Sequence, residues 1–331
     1  MRGDGIERQP ARSDAEETAA RIHTAAERYR NWGRWGEDDV RGTLNFIDDA
    51  MRAHAATLVR HGRVFSLAMK FDSTGPQKGI MGRGNPVHTM RETGDDAVHM
   101  RQGFPHGIGG ADDVIFMPLQ SATHWDGLGH IFDRGLAYNG RPADEVVVPA
   151  GDLVTGIENV SADIVGRGVL LDFGRAIGDG ELPDGYAITE DHIQQTIEKQ
   201  GPTSVIGRGD LVLARTGQLS RCYREGWGGY AGGDAPGFSF STAGWLHRTE
   251  IAAVATDTWG FEVRPYEFEG VFSPLHQVAI PNMGLTIGEM FDLEALAEDC
   301  ARDGVYEFLL VAGPLPVTGA VGAPVNPIAV K

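Results

Sequence analysis

A histidine and an aspartate stand two residues apart, His124 and Asp126, in the segment Gln120-Ser-Ala-Thr-His124-Trp-Asp126-Gly-Leu-Gly-His130. An imidazole nitrogen and a carboxylate oxygen are both ligands for divalent metal ions. An apolar run, Val114-Ile-Phe-Met-Pro-Leu119, leads into the segment and predicts a strand. Residues two apart on a strand face the same side, so Gln120, Ala122, His124 and Asp126 are expected to share one face. At that spacing His124 and Asp126 can reach one ion. Gly127 and Gly129 free the backbone to turn, which predicts that His130 swings back over the same point. A base beside a water acidified by a metal ion is the minimum equipment for hydrolysis.

This pair supplies two ligands, whereas a catalytic site typically has three plus water. The segment as a whole resembles the signature of the cyclase family of metal-dependent hydrolases, which includes bacterial kynurenine formamidase and isatin hydrolase. That signature reads His-x-Gly-Thr-His-x-Asp-x-Pro-x-His. Thr123, His124, Asp126 and His130 match it in register, while Gln120 replaces the first His, Ala122 the Gly and Leu128 the Pro.

The resemblance implies further ligands, or groups that orient them, from a distal element similar to Pro274-Leu-His276-Gln277 and the later Glu289. His276 and Gln277 are adjacent, so one of them is expected to face the ion, and the sequence does not say which. Glu289 is expected either as a ligand or as the partner that fixes an imidazole. In the two-zinc branch the first signature His binds metal. Gln120 offers a neutral carboxamide there, a weak zinc ligand. A single divalent ion is therefore expected, Mn(II) as in the isatin-hydrolase-like branch, with Zn(II) the alternative. The loop Trp32-Gly-Arg-Trp35 through Asn45 is similar to the opening of longer family members. Trp32, Trp35 and Asn45 are accordingly expected to wall a substrate pocket, of this chain or of a neighbouring subunit. A homo-oligomer, dimer or tetramer, is implied as well.

The expected function is hydrolysis of a small amide, cyclic amide or lactone, with His130 as general base. The departures at Gln120, Ala122 and Leu128 sustain an alternative, a metal-containing protein that binds, isomerises or cyclises a small molecule on the same fold. Serine and dinucleotide enzymes are disfavoured, since neither a Gly-x-Ser-x-Gly elbow nor a Gly-x-Gly-x-x-Gly turn after a strand is present, and His-Glu-x-x-His is also absent.

The formal charge of −17 and pI near 5.0 argue against nucleic acid or an anionic membrane as partner. The two cysteines, Cys222 and Cys300, form no Cys-x-x-Cys pair and are expected as reduced thiols in a cytoplasmic protein. The N-terminus has no apolar core of a secretory signal, and no run of about 18 apolar residues predicts a transmembrane helix.

The elements that must position the site follow from pattern and punctuation. Helices are expected over Asp14–Arg30 with Ser13 as N-cap, Asp48–His61, Thr189–Gln200 before Gly201, Ser241–Arg248 and Glu294–Asp303. Strands are expected at Val64–Met69, Gly168–Phe173, Asp210–Thr216, Ile251–Thr256 and Tyr306–Val311. Residues 72–113 and 218–236, rich in Gly, are expected as loops, the first a candidate lid. Residues 1–13 are expected to be disordered, 1–30 a polar tail and helix, and 31–331 one hydrolase domain. Strands and helices without strict alternation suggest α/β or mixed α+β. The resemblance implies a swivelling β/β/α fold, a central sheet barrel flanked by helices.

Overall fold

Apolar residues on both faces of a strand require cover on both sides, and three such runs form the centre of the sheet. The computed structural model describes residues 14–331; the expectations for 1–13 and for Ser13 as a cap lie outside them. Nine strands make one sheet: β1 (Val64–Ser66), β2 (His124–Asp126), β3 (Val165–Asp172), β4 (Leu211–Arg215), β5 (Ala253–Thr256), β6 (Thr286–Glu289), β7 (Glu307–Val311), β8 (Gly322–Pro324) and β9 (Ile328–Val330). Their spatial order is β1-β9-β7-β3-β4-β5-β6-β2-β8. Pairing is parallel from β3 through β6 and antiparallel elsewhere. The sheet curls into a half-barrel flanked by helices, a mixed α+β architecture.

The helices cover the two faces unequally. On one face α1 (Asp14–Arg28) buries Ile22, Ala25 and Ala26 with Val212, Val254 and Ile287 of the sheet. On the other, Leu296, Ala297 and Cys300 of the helix Glu294–Asp303 pack with Leu170, Leu213 and Phe308. The helix Glu190–Gln200 starts at Thr189, whose backbone N–H donates to His192 Nδ1 at 3.1 Å. Cys222 and Cys300 are both free thiols. Among the described residues no helix is long and apolar enough to cross a membrane.

Trp125 shows how the sheet serves the site. It lies between His124 and Asp126 on β2, so the pleat sends its ring to the opposite face. There it is fully buried, edge-on to Phe291, with Nε1 donating to Ala312 O at 2.8 Å. Trp125→Ala is expected to cost about 3–5 kcal/mol of stability, read from denaturant unfolding.

Several local expectations were overturned. The run Val114–Leu119 does not continue into β2. Its strand, Asp112–Phe116, pairs instead with Val87–Glu92 as a separate hairpin, and turns and bends separate it from His124. Val87, Met90, Val114, Ile115 and Phe116 of that hairpin are exposed. The apolar run here marked a strand that leaves the core rather than one that enters it. The stretch 72–113 therefore carries a strand and a short helix, Gly94–Val98. The Gly-rich stretch after Gly217 opens with a helix, Gln218–Glu225, that buries Gln218 and Leu219. The helix begun at Asp49 ends at Ala56.

Candidate metal centre and its cleft

β2 runs antiparallel between β6 and β8, and its register places Glu289 directly opposite His124. Opposite residues in such a pair have Cβ atoms about 5 Å apart. His124 and Asp126 share a face through the strand's period of two, and Glu289 joins them across the ladder. One ligand atom from each of the three lies within 4.8 Å of the others, and all three residues are buried. His124 Nε2 is 3.3 Å from Asp126 Oδ1 and 3.6 Å from Glu289 Oε2.

Two of these atoms, His124 Nε2 and Asp126 Oδ1, are buried without a hydrogen-bond partner. Leaving such atoms unsatisfied costs about 1–3 kcal/mol each. His124 Nδ1 lies 2.8 Å from Ala122 O, which fixes the ring with Nδ1 protonated and the Nε2 lone pair toward the carboxylates. Burial draws the His124 pKa down, but Asp126 and Glu289 outweigh it and the net shift is upward. Burial alone would raise Asp126; the imidazoles of His130 and His124 win and hold it well below the usual carboxylate range. The environment thus favours positive charge at this point. One imidazole nitrogen and two carboxylate oxygens, with orphaned atoms converging, fit a divalent cation.

The surrounding residues lock the three in place. Thr123 Oγ1 accepts from Met69 N at 2.9 Å and donates to Met290 O, tying β2 to the residue after Glu289. Met290 has φ +60°, a left-handed conformation rare for a bulky side chain and characteristic of strained functional backbone. His276 sits on the short helix Pro274–Val278, which runs into a π-helical turn, Ala279–Met283. Glu262 accepts from the N–H groups of Leu275 and His276 at 3.0 Å each and pairs with His276 Nδ1 at 2.6 Å. His276 Nε2 lies 3.2 Å from Glu289 Oε1. Burial opposes charge on His276, yet the two carboxylates win and push its pKa up to about 10. With Nδ1 on Glu262 and Nε2 on Glu289 Oε1, it is a group that orients Glu289. Glu289 Oε1 also accepts from Phe261 N, so Oε2 remains toward His124.

His130 returns toward the cluster after the Gly127–Gly129 turn. Its Nε2 lies 3.6 Å from Asp126 Oδ1, and it lines a narrow cleft with Arg83, Trp259, Arg264 and His276. Burial is the main cause of its lowered pKa, and the ring is neutral at pH 7.

The Cyclase family model matches residues 65–263, a span that contains the His124–His130 segment. The chain belongs to the cyclase family. It is 41% identical to a crystal structure described as a novel cyclase, with 92% of this chain and 99% of that chain covered and a TM-score of 0.84. Isatin hydrolase A from Ralstonia solanacearum shares the fold at 16% identity and TM-score 0.59, covering 86% of this chain and 98% of its own. Isatin hydrolase A from Labrenzia aggregata, bound to benzyl benzoate, does so at 18% identity and TM-score 0.57, covering 83% and 94%. No curated protein gives a significant match.

In this cyclase-family chain the structure separates the residues that the sequence singled out. His124, Asp126, His130, His276 and Glu289 come together. Gln277 turns away and donates to Asp133 Oδ1 at 2.8 Å. Gln120 lies against Gly322, whose added Cβ would meet its Nε2 at 2.8 Å, and it does not line the cleft. Trp32 Nε1 donates to Pro281 O, Trp35 packs edge-on against Phe46, and Asn45 donates to Asp39 Oδ1. None of these last three lines the cleft. Asp257 accepts from Thr216 and Gly217 and caps that turn.

Sequence reading missed Glu262, Arg264, Arg83 and Trp259. For the first two a signal was available: Trp259-Gly-Phe-Glu262-Val-Arg264 alternates apolar Phe261 and Val263 with Glu262 and Arg264, placing both charges on one face. Glu262→Gln would lose the charge that holds His276 and so release Glu289. Metal affinity is expected to fall about tenfold to a hundredfold, measured by titrating Mn(II) into chelator-stripped protein.

Proposed function

We propose that this chain is a metal-dependent hydrolase of a small amide, cyclic amide or lactone, using a single divalent ion. One observation carries the reading: the orphaned, buried Nε2 of His124 and Oδ1 of Asp126 converge with Glu289 beside a cleft that also presents a neutral histidine. His124, Asp126 and Glu289 would hold the ion. Their oxygen-rich set suits Mn(II), with Zn(II) also compatible. When bound, a divalent ion polarises a carbonyl and acidifies water.

The remaining steps belong to the chain. His130 Nε2 takes a proton from the attacking water as its oxygen bonds to the substrate carbonyl carbon. The same proton then passes to the departing nitrogen or oxygen, so water is consumed across the broken bond and His130 ends neutral. His276, held by Glu262, keeps Glu289 oriented throughout. The shared fold of the isatin hydrolases supports cyclic amides among the candidates. The exposed apolar residues of the 87–116 hairpin support a homo-oligomer in which that arm is covered.

The test is a panel of formanilides, isatins and aryl lactones, assayed with chelator-stripped protein and after reloading with Mn(II) or Zn(II). One ion per chain and turnover that returns with the ion are expected. Two ions per chain, or undiminished turnover in stripped protein, would overturn the reading.

A further inference from the structure

Two guanidinium groups face the cleft without a partner. Arg264 is only 6% exposed, and its Nε and Nη2 are buried with no hydrogen bond. Arg83 is 9% exposed, and no hydrogen bond or ion pair joins its guanidinium to another described residue. Both lie over Trp259, with Cζ 4.7 Å from the ring centroid for Arg264 and 5.4 Å for Arg83. Trp259 is itself pinned: Nε1 donates to Gln77 Oε1 at 3.1 Å, and Gln77 donates to Ser121 O at 2.8 Å.

Burying an unpaired cation is costly, and a guanidinium offers a planar fork of donors that matches a carboxylate. Cation–π contact with Trp259 satisfies part of the charge but none of the N–H donors. Asp126, Glu262 and Glu289 line the same cleft, so the two guanidiniums form a cationic patch beside carboxylates with which neither is paired. The patch also lies next to the metal ligands. A Cβ built on Gly260 would sit 3.9 Å from Arg264 Cζ and 4.0 Å from Glu289 Oε1, so the guanidinium and the cluster flank one small space. Met81, Phe272 and the ring of Tyr266 supply apolar wall around it.

We infer that the substrate is an anion: a compact apolar or aromatic acyl compound carrying a free carboxylate, which Arg264 binds directly while Arg83 adds charge across Trp259. The inference rests on the hydrolase reading for the bond that is cleaved, but not for the anion that is bound. The carboxylate bonds to Arg264 would fix the distance from the anion to the scissile carbonyl, making Arg264 a specificity-determining residue.

The experiment compares 2-, 3- and 4-formamidobenzoate with their methyl esters and with formanilide. With Mn(II)-loaded protein, kcat/KM for the best carboxylate isomer is expected to exceed that of its methyl ester about tenfold to a hundredfold. Arg264→Gln should collapse that ratio, and Arg264→Lys should restore part of it, which loss of folding would not do. Binding is measured in parallel by calorimetry, on loaded and on stripped protein. A preference for the carboxylates that persists in stripped protein and vanishes in Arg264→Gln sustains the inference even if nothing in the panel is hydrolysed, in which case the hydrolase reading alone suffers. Equal affinity for acids and esters overturns it. So does a carboxylate preference seen only with Mn(II) and unchanged in Arg264→Gln, because the anion would then sit on the ion.

Discussion

His130→Ala should retain its metal ion and lose nearly all turnover. The expected drop is about 10²- to 10⁴-fold, the usual contribution of a positioned general base, or roughly 3–5 kcal/mol of barrier. His130 stands apart from the three proposed ligands, 3.6 Å from Asp126 Oδ1, so its removal leaves His124, Asp126 and Glu289 complete. Ion content by atomic emission should therefore match the unaltered protein. The pH profile gives a second readout. A base works deprotonated, and burial lowers the His130 pKa below its ordinary value of about 6.5. The acid limb of the rate profile should lie below that pH, with full activity above it, and this limb should be missing from whatever activity His130→Ala keeps. Turnover unchanged by the substitution would remove His130 from the mechanism.

The second large effect is expected at Glu289. Glu289→Gln exchanges a carboxylate for a neutral, weak ligand at nearly the same shape. Mn(II) affinity should fall more than about a hundredfold, some 3 kcal/mol, and turnover should fall with it. Gln277→Ala gives the contrast. Its amide bonds Asp133 and faces away from the cluster, so the variant should bind Mn(II) like the unaltered protein while losing about 1 kcal/mol of stability. Calorimetric titration of stripped protein measures both. Should Gln277→Ala release the ion while Glu289→Gln keeps it, the ligand assignment would have to be redrawn.

Recognition of the family needed only a few residues in register, Thr123, His124, Asp126 and His130, and the family match and the shared fold agree with it. The helix Glu190–Gln200 was equally legible, because cap, acidic first turn and closing glycine are all written locally. Val114–Phe116 misled for a related reason: an apolar run reports that a strand seeks cover but not what covers it, and among the described residues these side chains stay exposed. The helix after Gly217 was hidden because its apolar face is short, Leu219 and Cys222, and the glycines beyond it read as loop.

Residues a few positions apart have their relative directions set by backbone geometry alone, and so the sequence by itself determined that His124 and Asp126 face together, that Trp125 opposes them, and that His130 can fold back past two glycines. Only the tertiary structure decided that Glu289 rather than Gln277 meets them, that Glu262 holds His276, and that Arg83 and Arg264 share Trp259. Those choices depend on which distant strands pair and in what register. That register follows from burying the whole core at once, and no short stretch of chain contains it.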